Sequence, residues 1–392
     1  MSAELPVSAA TSPVSAVAGK PAYGGTLVWG TTNSPTLINP ILTQNSVSAS
    51  LVGLIFNSLL RSDSHDQVVP DLAESWELYP DGRTCVFHLR KGVLFHDGVE
   101  LTAEDVKFTY DAIADERNQS PLRLVAKVDG EWQVVDRYTV RLVLRSPDSF
   151  ILRKMSKQIA PKHLLQNQDM SSAAFNYRPV GTGPFKFVQW DRVSNKIELA
   201  ANTDYFEGRP YLDKIVISIY PDSSRLWAAL MRREVDFVRY LNQDDYQVLS
   251  TDAAFRTYAI QSDYTCAIVY NLKDPILSDI RVREAIAMGI DVEKILQGIP
   301  ASGMASSGPF QPNMPGFNPD VRLLPYDPVR AREQLKAQGW RDDGSGILHK
   351  AGQPLELRML VDSRGEYFQK IAMLVRQQLS EIGIRTVVQL YS

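Results

Sequence analysis

The chain has 392 residues, of which 44% are hydrophobic, and a formal net charge of -3 at pH 7. One hydrophobic core rarely grows beyond about 250–300 residues, so this length predicts at least two lobes. The small negative charge gives no long-range attraction for nucleic acid or for an anionic membrane. No apolar run reaches the roughly 20 residues that a membrane-spanning helix requires.

The start of the chain, residues 1–23, consists mainly of Ala, Ser, Pro and Val, with neither a basic region nor an unbroken apolar core. This composition predicts a disordered tail, and no signal peptide is recognisable in this chain. Cys85 and Cys266 are the only cysteines, and they lie far apart in the sequence. We expect two free and largely buried thiols.

Residues 24–35 predict a strand that runs into a polar loop containing Thr32, Asn33 and Ser34. Loops at the ends of strands are where α/β proteins place many ligand contacts. The three polar residues are therefore candidate ligand contacts, while an ordinary turn stabilised by Asn and Ser side chains explains each of them equally well. An apolar helix is expected over residues 47–60.

Residues 79–113 show the clearest local pattern. Alternation around Cys85, Phe87 and Leu89 predicts a strand, and Thr102 with Asp105 predicts a capped helix. Further alternation over 131–144 predicts a hairpin.

The same region contains conspicuous polar side chains, namely His88, His96 and Asp97. A His-Asp-Gly turn is a weak metal signal, and no other residue at ligand spacing accompanies it. We therefore predict structural roles for these residues and no metal site.

A Gly-Thr-Gly-Pro sequence at 181–184 is followed by a strand. A phosphate-binding loop would instead open a helix and carry Lys and Ser or Thr, so these glycines predict a tight backbone bend. Residues 215–238 then predict a strand–helix–strand crossover with parallel pairing.

In the C-terminal third, Asp279, Asp291 and Asp327 predict helix N-caps, and residues 298–319 predict a long irregular loop. Alternation over 355–361 and 384–390, with a helical pattern between, predicts a second βαβ unit. The chain lacks G-x-S-x-G, H-E-x-x-H, C-x-x-C and dinucleotide-binding motifs. We predict no catalytic residue and no cofactor.

Several segments closely resemble, in family order, blocks of the peptide, nickel and opine family of extracytoplasmic solute-binding proteins that serve ABC importers. They are TLINP, VVPDLAESW, the 79–113 block, PVGTGPFKFVQW, NLKDPILSDIRVREAIAMGID and the run from PGFNPDV to LKAQGW. The resemblance extends from about Gly25 to the last residue.

This resemblance implies an α/β, two-lobed periplasmic-binding-protein-like fold of mixed sheets with helices on both faces, and an extra α+β subdomain on lobe 1. We expect a disordered tail at 1–23, lobe 1 at 24–46 and 178–270, the accessory subdomain at 47–177 and lobe 2 at 271–392. Because family members continue further, lobe 2 is expected to be incomplete, with an exposed sheet edge or apolar face. A fragment and a naturally shortened relative both fit this expectation.

The resemblance also supplies further candidate ligand contacts. A strand over 264–271 is expected to leave lobe 1 beside the ligand, which makes Tyr264 and Cys266 candidates. Arg364 follows a strand and precedes a helix, where a guanidinium can bind a carboxylate through two hydrogen bonds, as an arginine in this loop does in dipeptide-binding relatives. A solvated surface arginine is the alternative explanation.

We therefore predict a periplasmic, monomeric component of an ABC importer that captures a small peptide or related solute between two lobes and delivers it to a membrane permease. A nickel chelate, an opine and an oligosaccharide are alternative ligands. Two other classes remain open: a peptide hydrolase that uses the same cleft, and a shortened chain that binds nothing.

Overall fold

The computed structural model describes residues 21–43, 45–64, 67–126, 128–241, 243–258, 265–299, 303–310, 317–363 and 366–391. They form two compact units, an N-terminal unit within Val14–Arg239 and a C-terminal unit within Tyr240–Ser392. The predicted lobe boundary after residue 270 and the accessory subdomain at 47–177 stay predictions.

The N-terminal unit contains two main sheets and the helices that cover them. Its elements in chain order are β1 Thr26–Thr31, α1 Ser46–Ile55, β2 Leu60–Ser62, β3 Val68–Pro70, β4 Ala73–Leu78, β5 Thr84–Leu89, α2 Ala103–Ala114, α3 Arg123–Ala126, β6 Gly130–Asp136, β7 Thr139–Leu144, α4 Ile151–Lys154, α5 Lys162–Leu165, β8 Phe185–Asp191, β9 Lys196–Ala201, β10 Lys214–Ile219, α6 Ser223–Met231 and β11 Phe237–Val238. Short 3₁₀ helices lie at Glu116–Asn118 and Ala174–Tyr177.

A five-stranded sheet has the order β11-β1-β10-β9-β8. Strand β1 pairs in parallel with β10 and β11, whereas β9 is antiparallel to both β10 and β8. Strands β8, β10, β1 and β11 therefore point the same way. The predicted crossover through α6 is confirmed, and its two strands pair on opposite sides of β1.

The second sheet is antiparallel, with the order β4-β5-β7-β6. Its buried face includes Cys85, Phe87 and Leu89, which pack in one core with Val106 and other α2 residues. The predicted hairpin is confirmed as β6 and β7. The predicted capping of α2 is also confirmed, because the Asp105 carboxylate accepts the Thr102 backbone N–H at 2.9 Å.

The Gly-Thr-Gly-Pro segment lies against the end of α1. The Gly183 N–H donates to the Ile55 carbonyl at 2.8 Å. A Cβ on Gly181 would lie 2.1 Å from the same Ile55 oxygen, and one on Gly183 would lie 2.5 Å from the Ile55 carbonyl carbon. Glycine is therefore required here for close backbone approach, and neither residue has a positive φ.

The C-terminal unit contains α7 Gln243–Ser250, α8 Ile280–Met288, α9 Val292–Gly298, α10 Pro328–Ala337, β12 Arg341–Asp342, β13 Leu348–Lys350, β14 Gln353–Pro354, β15 Glu356–Asp362, α11 Glu366–Glu381 and β16 Arg385–Tyr391. Strands β15 and β16 are parallel and joined by α11, so the predicted βαβ unit is confirmed. Asp279, Asp291 and Asp327 cap α8, α9 and α10 as predicted.

Two expectations for the middle of the chain are wrong. Residues 265–271 form no strand, and Val269 is 90% exposed. An alternating pattern becomes a strand only where a neighbouring strand pairs with it, and none does so among the described residues. Cys266 is exposed rather than buried, because this segment is not covered, while Cys85 is buried as predicted and both thiols are free.

Candidate functional site

The carboxyl ends of the parallel strands in the N-terminal unit are the candidate functional site. Trp29, Ile217 and Ile197 face the core that contains the buried residues of α1. A Cβ on Gly30 would instead meet Leu226 of α6 at 2.5 Å, so α6 covers the opposite face. The connections that leave β1 and β10 thus go to opposite faces of the sheet, and ligands gather at such a switch point.

The loop after β1 lies at this switch point. The Thr31 carbonyl accepts the Tyr220 N–H at 2.8 Å, which joins the ends of β1 and β10. The Thr31 hydroxyl accepts the Asn33 N–H at 3.1 Å. The Asn45 side chain, which caps α1, donates to the Ser34 carbonyl at 3.3 Å.

These hydrogen bonds fix the backbone of the loop. Two of the three side chains that we predict as ligand contacts are left exposed to solvent. Asn33 and Ser34 are exposed and Thr32 is half-buried. Across the described residues, the Asn33 carboxamide has no hydrogen-bond partner, and the Ser34 hydroxyl donates only at 3.5 Å to the next carbonyl. The structure therefore places all three at the switch point, where their polar groups can meet a ligand.

One end of this edge has an aromatic ring and a guanidinium that the sequence analysis did not select. Phe237 of β11 pairs with Trp29 of β1, and their rings meet edge to face with centroids 6.2 Å apart. Phe237 is 43% exposed, whereas the Trp29 indole N–H is buried and has no hydrogen-bond partner among the residues that the structure describes. Two residues further on, Arg239 donates to the Ser50 hydroxyl of α1.

The other end of the edge has the same combination. Trp190 of β8 is followed two residues later by Arg192, whose guanidinium carbon lies 3.3 Å from the centroid of a Trp190 ring. The sequence signal was an aromatic residue two positions before an arginine at the end of a strand. This signal indicates a shared site only once the sheet order shows that β8 and β11 end at the same edge.

The remaining predicted contacts are in the C-terminal unit. Tyr264 and Arg364 lie outside the described residues, and Cys266 is exposed there. Beside position 364, the Ser363 N–H donates to the Tyr391 carbonyl at 2.8 Å. A shallow cavity of about 340 Å³ in this unit is lined by Gly298, Gln369, Lys370, Met373 and Leu374.

The conspicuous residues of the four-stranded-sheet region have structural partners. The His163 imidazole contacts the Asp97 carboxylate at 2.8 Å, and His88 contacts Glu77 at 3.0 Å. Among the residues with described positions, no group of three or more His, Cys, Asp or Glu side chains could hold a metal ion. None of the described helices has both the length and the apolar character needed to cross a membrane.

A family model for bacterial extracellular solute-binding proteins, family 5, middle region, matches residues 67–392. The chain belongs to this family. The oligopeptide-binding protein AppA of Bacillus subtilis is 32% identical over 391 residues, which is 95% of this chain and 70% of AppA. The dipeptide-binding protein of Escherichia coli is 30% identical over 342 residues, or 80% of this chain and 63% of that protein.

Solved structures agree with this family 5 assignment. AppA of B. subtilis in complex with a nonapeptide has a TM-score of 0.75 and 29% identity, and the match covers 95% of this chain and 76% of AppA. NikZ of Campylobacter jejuni in complex with Ni(L-His) has a TM-score of 0.78 and 26% identity, with 93% and 73% covered. The predicted fold class of the two-lobed periplasmic binding proteins is confirmed. AppA and the E. coli relative are named as peptide-binding proteins.

Proposed function

We propose that this protein is the extracytoplasmic solute-binding component of an ABC importer and that it captures a peptide for a membrane permease. The observation that carries this proposal is the polar loop Thr32–Ser34 at a switch point of the sheet, in a chain whose relatives include oligopeptide- and dipeptide-binding proteins. The protein acts as a monomer, and no bond is made or broken in the solute.

The loop offers the contacts that an extended peptide needs. A peptide main chain presents alternating N–H and C=O groups, and the Asn33 carboxamide can both donate to them and accept from them. Such contacts do not depend on the side chains of the peptide, so selectivity for its sequence is expected to be loose. Tyr264, Cys266 and Arg364 stay predicted contacts within this proposal.

Binding drives transport by shifting the population of conformations. A solute stabilises whichever state of the protein makes more contacts with it, and the permease then recognises that state. A micromolar dissociation constant corresponds to about 8 kcal/mol, which a few hydrogen bonds and buried apolar contacts can supply.

A nickel complex is the second candidate ligand, because NikZ was solved with Ni(L-His) and its fold matches 93% of this chain. A chelated metal brings its own ligands, so the protein needs no complete metal site to bind it. The two candidates differ in one measurable way, since only the second depends on nickel.

Isothermal titration calorimetry against peptides of two to nine residues, and against Ni(L-His), tests the proposal. We expect peptide binding in the micromolar range without added metal. Asn33→Ala should weaken it roughly threefold to tenfold, the effect of one lost hydrogen bond. Gln133→Ala on the four-stranded sheet is the control and should bind as the wild type does.

Failure of every peptide to bind would overturn the peptide assignment. Binding of Ni(L-His) alone would replace it with the second candidate. Equal affinity of the wild type and Asn33→Ala would remove the loop from the site.

A further inference from the structure

A cation stacked on one aromatic ring, with a second ring beside it, lies at the tip of the hairpin formed by β8 and β9. The Arg192 guanidinium carbon is 3.3 Å from the centroid of a Trp190 ring and 5.3 Å from that of Tyr177. The Tyr177 and Trp190 rings themselves have centroids 6.1 Å apart. Trp190 packs against the core beneath the five-stranded sheet, so it fixes the position of the arginine that covers it.

The cation lies at the carboxyl edge that forms the candidate site. Strand β8 points the same way as β1, so its last residue, Asp191, is at the same edge as Thr31. The Asn195 carbonyl of the hairpin tip accepts the Ile219 N–H at 3.0 Å, and Tyr220 next to it donates to Thr31. Backbone hydrogen bonds therefore connect the tip to the Thr32–Ser34 loop.

The charge of Arg192 is not used within the described structure. Several other exposed arginines of this unit pair with carboxylates, for example Arg232 with Glu234 at 2.7 Å. No carboxylate oxygen of a described residue lies within 4 Å of the Arg192 guanidinium. The adjacent Asp191 instead accepts the Val193 N–H at 2.8 Å and the Ser194 hydroxyl at 2.6 Å, so it stabilises the turn.

Stacking prepares a guanidinium for binding an anion. The Trp190 ring covers one face of the weakly hydrated guanidinium plane and leaves the N–H edge available for two parallel hydrogen bonds to a carboxylate. The stack also limits side-chain freedom before a ligand arrives, which reduces the entropy cost of binding. A purely structural cation–π contact would stabilise the hairpin without any preference for anions.

We propose that Arg192, held by Trp190 and Tyr177, is a carboxylate-binding subsite at one end of the solute site. This inference rests on the proposed function, because it takes the Thr32–Ser34 loop as the place where the main chain of the solute binds. The ligand group is the terminal carboxylate of a peptide or an acidic side chain.

The sheet geometry sets the length of peptide that reaches this subsite. Strands β1 and β8 are separated by three strand spacings of about 4.8 Å, roughly 14 Å in all. An extended peptide rises about 3.3 Å per residue, so about four residues connect the loop to Arg192. Tetrapeptides and longer peptides should therefore use the subsite, whereas dipeptides bound at the loop should not.

The first test needs no peptide. Titration of the full chain with N-acetylglycine should shift the NMR signals of the Arg192 Nε–H and the Trp190 indole N–H, while the neutral N-acetylglycinamide should not. Arg192→Lys and Trp190→Phe assign the two signals. The absence of a shift, or an equal shift of the Arg145 side chain, would overturn the inference.

The second test uses calorimetry with a tetrapeptide, its C-terminal amide and its Glu→Gln analogue. Arg192→Ala should weaken binding of the acid roughly tenfold to a hundredfold and leave one neutral analogue unchanged, which identifies the carboxylate concerned. Dipeptide affinity should not change, and Arg145→Ala serves as the matched control. Equal losses for the acid and for both neutral analogues would show a structural role and refute the subsite.

The two proposals can fail separately. If the wild-type protein binds no peptide, the proposed function falls, and the N-acetylglycine titration still decides whether Arg192 binds carboxylates. If peptides bind and Arg192→Ala weakens the acid and both neutral analogues equally, the inference falls and the proposed function stands.

Discussion

His96 shows how one side chain can be fixed in a single protonation state by its surroundings. Its Nε2 lies 3.0 Å from the Gly183 carbonyl, and its Nδ1 lies 3.3 Å from the Gly181 N–H. The first contact requires a proton on Nε2 and the second requires a lone pair on Nδ1, so only the neutral ring satisfies both. Burial lowers the pKa of His96 to about 4.

The lowered pKa of His96 predicts a pH dependence of stability. The unfolded chain takes up a proton near pH 6.5, whereas the folded protein does not do so until about pH 4. Stability is therefore fully present above pH 6.5 and falls by on the order of 3 kcal/mol as the pH drops to about 4. Urea unfolding of the wild type and His96→Gln at several pH values measures this slope. We expect a shallower slope in the variant, and identical slopes would contradict the prediction.

At the scale of elements, the end of α1 and the Gly-Thr-Gly-Pro segment form one close backbone contact. The Gly183 N–H bonds to the Ile55 carbonyl, and the Thr182 hydroxyl lies 3.1 Å from the Asn57 side-chain oxygen. Both main chains are buried, so neither has room to move away from the other. This contact fixes where the chain enters β8 and hence where the Arg192 hairpin begins.

Glycine substitutions test this contact. Gly183→Ala should destabilise the protein by about 3 kcal/mol or more, because the added Cβ would lie 2.5 Å from the Ile55 carbonyl carbon. Gly53→Ala is the matched control in α1: a Cβ there meets nothing within 4 Å, so it should stabilise the helix by about 0.5–1 kcal/mol. Chemical unfolding compares the two. A tolerated Gly183→Ala would mean that the two segments separate readily.

Local patterns predicted the elements whose stability is local. The sequence predicts the helix caps at Asp279, Asp291 and Asp327 because capping is a local interaction. Each of these side chains accepts a hydrogen bond from a backbone N–H two or three residues ahead. The pattern around residue 266 failed because a strand depends on a partner that its own sequence does not specify. Arg192 and Phe237 were missed for a related reason, since the order of strands in the sheet brings them to one edge.

For the whole molecule, the distinction between binding and hydrolysis can be tested through linkage. A ligand that binds only the folded state raises the free energy of unfolding by about 2.7 kcal/mol at one hundred times its dissociation constant. The Thr32–Ser34 loop belongs to the N-terminal unit, so the thermal transition of that unit should rise. Because the chain has two units, scanning calorimetry must resolve separate transitions rather than assume one.

Hydrolysis would remove this stabilisation with time. A bound peptide that is never cleaved keeps the transition raised after hours of incubation, and mass spectrometry should recover it at its original mass. A hydrolase would consume the peptide, so the transition would fall back as products of lower affinity accumulated. Both measurements, the transition temperature and the peptide mass, are made on the same incubated sample. Asn33→Ala weakens binding, so at a fixed peptide concentration it should reduce the increase in transition temperature that the peptide causes. If intact peptide disappears while the transition temperature falls, the protein is a hydrolase and the proposed transport function is wrong.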